Sequence, residues 1–246
     1  MTAKKTTTRT RQTARVKATD LTCTDCAVTA CRVGTGLGNG TRFPDFCLST
    51  SLDPSTLTEV LGRYDEQDAH RVMVAAAETE HEGYGRWPRV EETIQFARKI
   101  GAHKLGIATC VGLIQESRTL ARILRDRGFE VFGVGCKVGT TAKHEVGIDA
   151  ACEQTGVNMC NPILQAELLN EEGTDLNIVV GLCVGHDALF VRHSKAYATT
   201  LVAKDRVTGH NPIAALYLNG SYYRKLNDEW DRPAELTEPG DSRSAS

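Results

Sequence analysis

Apolar residues along the middle of the chain alternate between helical spacing and short continuous runs. Helical spacing over 89–100 precedes an apolar run over 105–109, and the same order returns at 113–127 and 129–134. Short apolar runs bounded by turn residues are typical of buried strands. A strand, a helix and a second strand within about thirty residues have the length of a right-handed parallel unit. The first half of this region therefore predicts parallel strands joined by helices.

The second half repeats this alternation. Asn161 and Pro162 are favoured at the N-cap and the first position of a helix, and they predict a helix through Glu172. The remaining predicted elements are a strand over 176–182, a short helix over 188–192 and a strand over 199–203. We predict an α/β fold with a mostly parallel, Rossmann-like sheet, helices on both faces and a loop-rich N-terminal cysteine segment.

Four segments of different composition divide the chain. They are a disordered basic tail over 1–19, a four-cysteine metal-binding segment over 20–51, the α/β domain over 52–226 and an acidic flexible tail over 227–246. The basic tail is too poor in apolar residues to offset the entropy cost of ordering it. Near the start of the α/β domain, Ser55 predicts an N-cap, with one or two helices extending to Glu82.

The composition is that of an ordinary globular protein. The 246 residues are 41% apolar and 24% charged, with a formal net charge of −2. No apolar run approaches the roughly 18 residues of a membrane span, so we expect no membrane association. The cations of the basic tail are not interleaved with aromatic residues. We therefore expect a solvated extension and no nucleic-acid partner.

The chain contains nine cysteines. Its N-terminus has no apolar core of the kind found in secretory signals, so we expect a cytoplasmic protein whose cysteines are metal ligands or catalytic thiols. Four cysteines have the spacing C-x2-C-x4-C-x15-C: Cys23, Cys26, Cys31 and Cys47. Four thiolates from one short segment can bind a zinc ion or an iron–sulfur cluster. This spacing predicts a metal site.

Four other cysteines lie where predicted strands end or a helix begins: Cys110, Cys136, Cys160 and Cys183. The carboxyl ends of parallel strands form the ligand crevice of doubly wound sheets. We expect these four thiols to share one such site, called here the thiol crevice, where they bind a second cluster or supply a reactive cysteine. The alternative is that each is a small buried hydrophobic residue, which is the interpretation we favour for Cys152.

Cys183 and His186 are the candidate catalytic residues. His186 follows the thiol at a predicted helix start, where one helical turn brings an imidazole to a neighbouring sulfur as a base or proton donor. A surface histidine is the alternative. Cys110-Val111-Gly112 and Cys183-Val184-Gly185 each follow a strand and precede a helix, which indicates an internal repeat. The glycines over 133–139 have the spacing G-x-G-x-x-x-G, which does not fit a dinucleotide site.

Two resemblances add to these observations. The spacing of the first four cysteines resembles the iron–sulfur motif of corrinoid iron–sulfur proteins and of an electron-transport complex subunit, which implies a [4Fe-4S] cluster. A second resemblance is carried by Met159 to Glu167, Asp175 to Asp187, Val202 to Arg206 and Gly209 to Pro212. Through these residues the chain from Leu21 to Leu226 resembles domain-of-unknown-function family 1847, a prokaryotic cysteine-rich family usually described as candidate metal-binding proteins. It implies bound metal and no particular reaction.

Two functions are consistent with these residues. In the first, the chain is an iron–sulfur enzyme or redox protein, with a [4Fe-4S] cluster in the four-cysteine segment and an unknown small molecule or redox partner. In the second, that segment holds structural zinc and the α/β domain is a non-catalytic binding or sensor module. The colour and metal content of protein purified without oxygen distinguish the two.

Overall fold

A computed structural model describes residues 21–32 and 42–227. Within this part the chain forms two compact units, one ending at Met73 and the other beginning at Val74. The predicted basic tail lies outside the described residues, and so does the predicted acidic tail apart from Asn227. The structure is α/β, as predicted.

The first unit is built from short turns and helices. They are 3-10 turns at Cys23–Asp25, Ala30–Arg32 and Arg63–Asp65, and helices α1 (Leu48–Ser51), α2 (Pro54–Gly62) and the start of α3 (Gln67–Gly83). The prediction of helices up to Glu82 is confirmed, but Ser55 is not the N-cap. Asp53 caps α2 instead, and its Oδ1 accepts from the backbone N and the Oγ of Ser55, both at 2.7 Å. Pro54 then occupies the first helical position, where its missing N–H costs nothing.

A four-stranded parallel sheet forms the centre of the second unit. Its strands are β1 (Lys104–Thr109), β2 (Glu130–Gly135), β3 (Leu176–Val180) and β4 (Tyr197–Val202). Their order in the sheet is β2-β1-β3-β4, and every neighbouring pair is parallel. Leu105 of β1 pairs with Val131 on one side and with Leu176 on the other. The predicted parallel sheet is confirmed. Because all strands run in the same direction, their four carboxyl ends lie at one edge of the sheet.

Helices cover both faces of this sheet. They are α4 (Arg89–Lys99), α5 (Ile114–Asp126), α6 (Pro162–Glu171) and α7 (His186–His193), with α8 (Ile213–Tyr217) following β4. On one face, Ser117 of α5 donates a 2.6 Å hydrogen bond to Thr109 of β1. On the other, Gly106 of β1 lies against Leu169 of α6. Since successive strand residues point to opposite faces, these contacts place α5 and α6 on opposite sides.

The connection between β2 and α6 lacks regular secondary structure beyond 3-10 turns at Lys143–Val146 and Ala150–Thr155. Lys143, at the start of the first of these turns, is buried. Its ammonium donates to the carbonyl of Cys152 and to Oγ1 of Thr155. Cys152 itself is exposed, so the expectation of a buried cysteine there is wrong. Cys152 lies in the 3-10 turn Ala150–Thr155, which buries none of its residues.

No helix in the described part of the chain combines the length and the apolar character needed to cross a membrane.

Candidate thiol site

Cys110 and Cys136 are attached directly to the carboxyl edge of the sheet. Cys110 follows β1 and donates its backbone N–H to the carbonyl of Val180 at 3.1 Å. Cys136 follows β2 and donates its N–H to the carbonyl of Thr109 at 2.8 Å. Each bond extends a strand ladder by one residue, and both side chains are buried. The backbone pairing of the sheet therefore fixes both thiols.

Cys160 reaches the same edge from the segment that leads into α6. The backbone N–H of Asn161 donates to the carbonyl of Cys136 at 2.8 Å, which ties the two segments together. Asn161 is the N-cap of α6, and its side chain accepts from the N–H of Leu164 at 3.0 Å. Pro162 follows at the first helical position. The predicted cap and helix start are confirmed, and they place Cys160 beside Cys136.

Three of the crevice thiols form a continuous contact chain with Cys136 at its centre. The Sγ atoms of Cys160 and Cys136 are 3.7 Å apart, at hydrogen-bonding distance for sulfur. The thiol of Cys110 lies close enough to that of Cys136 for each to shift the pKa of the other. The backbone N–H of Val111 also donates to the Cys136 sulfur at 3.4 Å. Sulfurs from three separate segments therefore lie side by side, with Cys136 in the middle.

Cys183 lies at the same edge, three residues beyond β3, and is half-buried. Its sulfur accepts a 3.1 Å hydrogen bond from the guanidinium of Arg206. Its carbonyl accepts from the backbone N–H of His186 at 2.9 Å, at the start of α7. Because β1 and β3 are adjacent and parallel, Cys110 and Cys183 end at the same side of the sheet. The imidazole Nδ1 of His186 is buried and has no hydrogen-bond partner among the described residues.

Positive side chains surround these sulfurs. The hydrogen bond with Cys136, then the backbone hydrogen bond from Gly112 and the charge of Lys204, lower the pKa of Cys110 to about 5. The hydrogen bond with Cys136, followed by the charges of Lys137 and His186, lowers the pKa of Cys160 to about 5. The pKa of Cys136 is raised, because the thiols of Cys110 and Cys160 on either side and its own burial oppose its ionisation. Cys110 and Cys160 therefore ionise more readily than the central thiol of Cys136.

Gln165 of α6 braces the floor of the crevice. Its side chain is fully buried, and its Nε2 donates to the carbonyl of Val134 at 2.7 Å and to that of Thr109 at 3.2 Å. Thr109 is the last residue of β1 and directly precedes Cys110, and Val134 lies near the end of β2, two residues before Cys136. The side-chain amide thus connects the two strand ends to the helix that follows Cys160. Its Oε1 is buried and has no partner in the part of the chain that the structure describes.

Sequence reasoning gave no role to Gln165, Lys137, Lys204 or Arg206. Lys204 and Arg206 could have been found, because they follow β4 and so lie at the same edge as the strand-end cysteines. Lys137 directly follows Cys136. Gln165 gives no comparable signal, because its spacing on α6 is equally consistent with a solvated position.

The N-terminal cysteines are arranged differently. Cys23 and Cys31 lie in 3-10 turns and are exposed, while Cys26 accepts from the backbone N–H of Thr29 at 3.4 Å. Cys47 is the N-cap of α1. Burial acts to raise the pKa of Cys47, but hydrogen bonds from Ser49 and Thr50 outweigh it and lower the pKa. The assignment of a metal to these four residues stays a prediction.

Neither set of cysteines is already gathered around an ion position. Across residues 21–32 and 42–227, no three His, Cys, Asp or Glu side chains form a group with the geometry of an ion site. The donor chemistry of the thiol crevice nevertheless suits soft metals, since thiolates are the ligands of zinc and of iron–sulfur clusters. Backbone N–H groups that donate to sulfur, as Val111 does to Cys136, are also found around such centres.

Two grooves lie away from the thiols. One, of about 400 Å³, runs between α4, α5 and the ends of β3 and β4, and its apolar lining includes Val90, Leu120 and Leu201. The other, of about 370 Å³, lies between α3 and α4. No cysteine lines either groove.

A family model described as a protein of unknown function, DUF1847, matches residues 47–201. The chain belongs to the DUF1847 family. All four crevice cysteines of this chain lie within the matched region, whereas Cys23, Cys26 and Cys31 precede it. An uncharacterized protein of Methanocaldococcus jannaschii is 42% identical over 167 residues, which are 68% of this chain and 85% of that protein. The predicted family is confirmed, and the family match includes the thiol crevice.

Proposed function

We propose that this DUF1847 protein binds metal through cysteine thiolates, and that its thiol crevice holds an iron–sulfur cluster. The observation that carries this proposal is the convergence of Cys110, Cys136 and Cys160 from three separate segments onto one edge of the sheet. Cys183 offers a fourth sulfur at that edge. Four thiols on a rigid parallel sheet match the ligand number of a cluster.

The charges around the crevice support the same proposal. Lys137, Lys204 and Arg206 form no ion pair with a carboxylate of the described residues. They instead lie near the crevice sulfurs, where their charge offsets that of several thiolates. A bound cluster supplies one-electron chemistry or, where only three cysteines bind it, an open iron as a Lewis acid.

The residues opposite the three-thiol group have separate roles in this proposal. Arg206 holds the Cys183 sulfur and keeps its charge, because the pKa of Arg206 is raised by that hydrogen bond. His186 begins α7 with its Nδ1 unengaged, so it is placed to hold or release a proton at the crevice. With Arg206 and His186 in these roles, we propose that the chain is an iron–sulfur enzyme or redox protein.

We further propose that Cys23, Cys26, Cys31 and Cys47 bind a [4Fe-4S] cluster, which their spacing supports. The second candidate is structural zinc in this segment, with the α/β domain acting as a non-catalytic binding or sensor module. Its support is that the family match begins only at Cys47, so the other three cysteines belong to an accessory segment. Small segments with four cysteines are commonly stabilised by a structural zinc ion.

The test is anaerobic purification followed by metal analysis and absorption spectroscopy. We expect brown protein with iron and sulfide, and broad absorption near roughly 400 nm. Replacing Cys110, Cys136 or Cys160 by Ser should remove the crevice share of the iron, while His186→Ala should spare it. Cys152→Ser is the matched control, since that thiol is exposed and outside the contact chain. Iron content unchanged in all three crevice variants would refute the crevice assignment, and colourless protein with one zinc would favour the second candidate.

A further inference from the structure

The sulfurs of Cys136 and Cys160 are close enough for chemistry with each other. They lie 3.7 Å apart, and a disulfide bond of about 2.05 Å requires only a small approach from there. The hydrogen bond from the N–H of Asn161 to the carbonyl of Cys136 already fixes the two backbones side by side. Such a fixed pair favours ring closure over reaction with a distant thiol.

The two thiols differ in access to solvent. Cys136 is 2% exposed, whereas Cys160 is half-buried and precedes the first turn of α6. A substrate can therefore reach Cys160 first, and Cys136 is held behind it. A partly exposed attacking thiol and a buried resolving thiol are the two parts that thiol–disulfide exchange needs. Lys137, beside Cys160, supplies a positive charge at the attacking sulfur.

We propose that the metal-free thiol crevice reduces disulfide substrates, with Cys160 as the attacking thiol and Cys136 as the resolving thiol. This activity goes beyond the metal function proposed above and does not require it. It also assigns the attack to Cys160, whereas the sequence favoured Cys183 as the reactive cysteine.

The steps balance in atoms and electrons. The Cys160 sulfur gives its proton to solvent and attacks one sulfur of the substrate disulfide, whose S–S bond breaks and releases a thiolate. The Cys136 sulfur then loses its proton and attacks the Cys160 sulfur, and the second substrate thiolate leaves. The two protons end on the two product thiols. The substrate gains two electrons, and the protein retains a Cys136–Cys160 disulfide.

The full-length chain, reduced and stripped of metal with a chelator, is mixed with oxidised glutathione, quenched with acid and mapped by peptide mass spectrometry. We expect a Cys136–Cys160 disulfide in the wild type. Cys136→Ser should trap one glutathionyl group on Cys160, and Cys160→Ser should leave Cys136 unmodified. Cys152→Ser is the control, because that thiol is exposed and lies outside the contact chain, so the Cys136–Cys160 bond should still form.

Two results would overturn the proposal. One is a Cys110–Cys136 disulfide in the wild type. The other is wild-type Cys136 and Cys160 remaining reduced while the exposed Cys152 is glutathionylated in the same sample. Both readouts use the wild type, so the folding of the variants does not affect them. Iron content is measured on protein before chelation, so the metal proposal and the exchange proposal can each fail alone.

Discussion

Gln165 shows how a single buried side chain can organise the thiol crevice. Its amide donates to two carbonyls near the ends of β1 and β2, and the Thr109 carbonyl also accepts the backbone N–H of Cys136. A hydrogen bond inside a protein contributes about 0.5–1.5 kcal/mol to stability. Gln165 therefore matters both for stability and for the spacing of the cysteines that follow those carbonyls.

Replacing Gln165 by Leu should lower the free energy of unfolding by about 1–3 kcal/mol, since the volume is kept and two buried hydrogen bonds to strand carbonyls are lost. Gln115→Leu is the matched control on α5, where the side chain is exposed and its Oε1 accepts only from Arg118. That change should stay within about 0.5 kcal/mol. Urea denaturation of both variants measures the difference, and equal stabilities would contradict the bracing role of Gln165.

At the scale of elements, the contact between β1, β3 and α6 depends on a glycine. Gly106 of β1 faces α6, and a Cβ there would lie 2.0 Å from Oδ1 of Asn177 and 3.0 Å from Cδ1 of Leu169. Asn177 cannot move freely, because its Oδ1 accepts from Thr174 and its Nδ2 donates to Ser194, both at 2.8 Å. The hydrogen bonds of Asn177 with Thr174 and Ser194 therefore require a residue without a side chain at position 106 of β1.

Gly106→Ala should destabilise the second unit by about 1–3 kcal/mol through overpacking. Gly133→Ala on the adjacent β2 is the control, because the nearest atom to its added Cβ is 3.9 Å away. That variant should be neutral or slightly more stable, as the unfolded chain loses conformational freedom. Thermal unfolding followed by circular dichroism compares the two. A Gly106→Ala variant as stable as Gly133→Ala would contradict this prediction, because Asn177 would then have moved away from the added Cβ with no loss of stability.

The element order was predictable because apolar periodicity is local, and so was the placement of Cys110 and Cys183 at strand ends. The Asn161 cap was predictable for the same reason. Two details were not. Asp53 and Ser55 are both good N-cap residues, and only the position of Pro54 between them decides for Asp53. The contact of Cys160 with Cys136 depends on how the long β2–α6 connection returns to the sheet, which no local pattern encodes.

At the scale of the whole molecule, the chain divides within α3, between Met73 and Val74. The sheet and all four crevice cysteines belong to the second unit, and the four-cysteine segment belongs to the first. The second unit also contains its own buried apolar core, including Leu105, Ile107 and Ile178. A unit with its own core can fold without the rest of the chain.

A chain beginning at Gln67, which keeps α3 whole, should therefore fold cooperatively and retain the crevice metal while losing that of the N-terminal segment. Circular dichroism and metal analysis beside the full-length protein test this expectation. The complementary variants Cys23→Ser, Cys26→Ser, Cys31→Ser and Cys47→Ser should each lower metal content and leave the sheet folded. A shortened chain that is unfolded, or one that holds as much metal as the full-length protein, would contradict the division of roles.

The strand order β2-β1-β3-β4 also bears on when each metal could be acquired during synthesis. Cys183 reaches the crevice only after the chain has crossed back over β1 and β3 has paired beside it. The cysteines from Cys23 to Cys47 leave the ribosome earlier and need no long-range pairing to come together. If both sites bind metal, the nascent chain can fill the first before the second exists. Metal delivery to the crevice would then depend on completed folding, and an unfinished chain would carry the N-terminal metal alone.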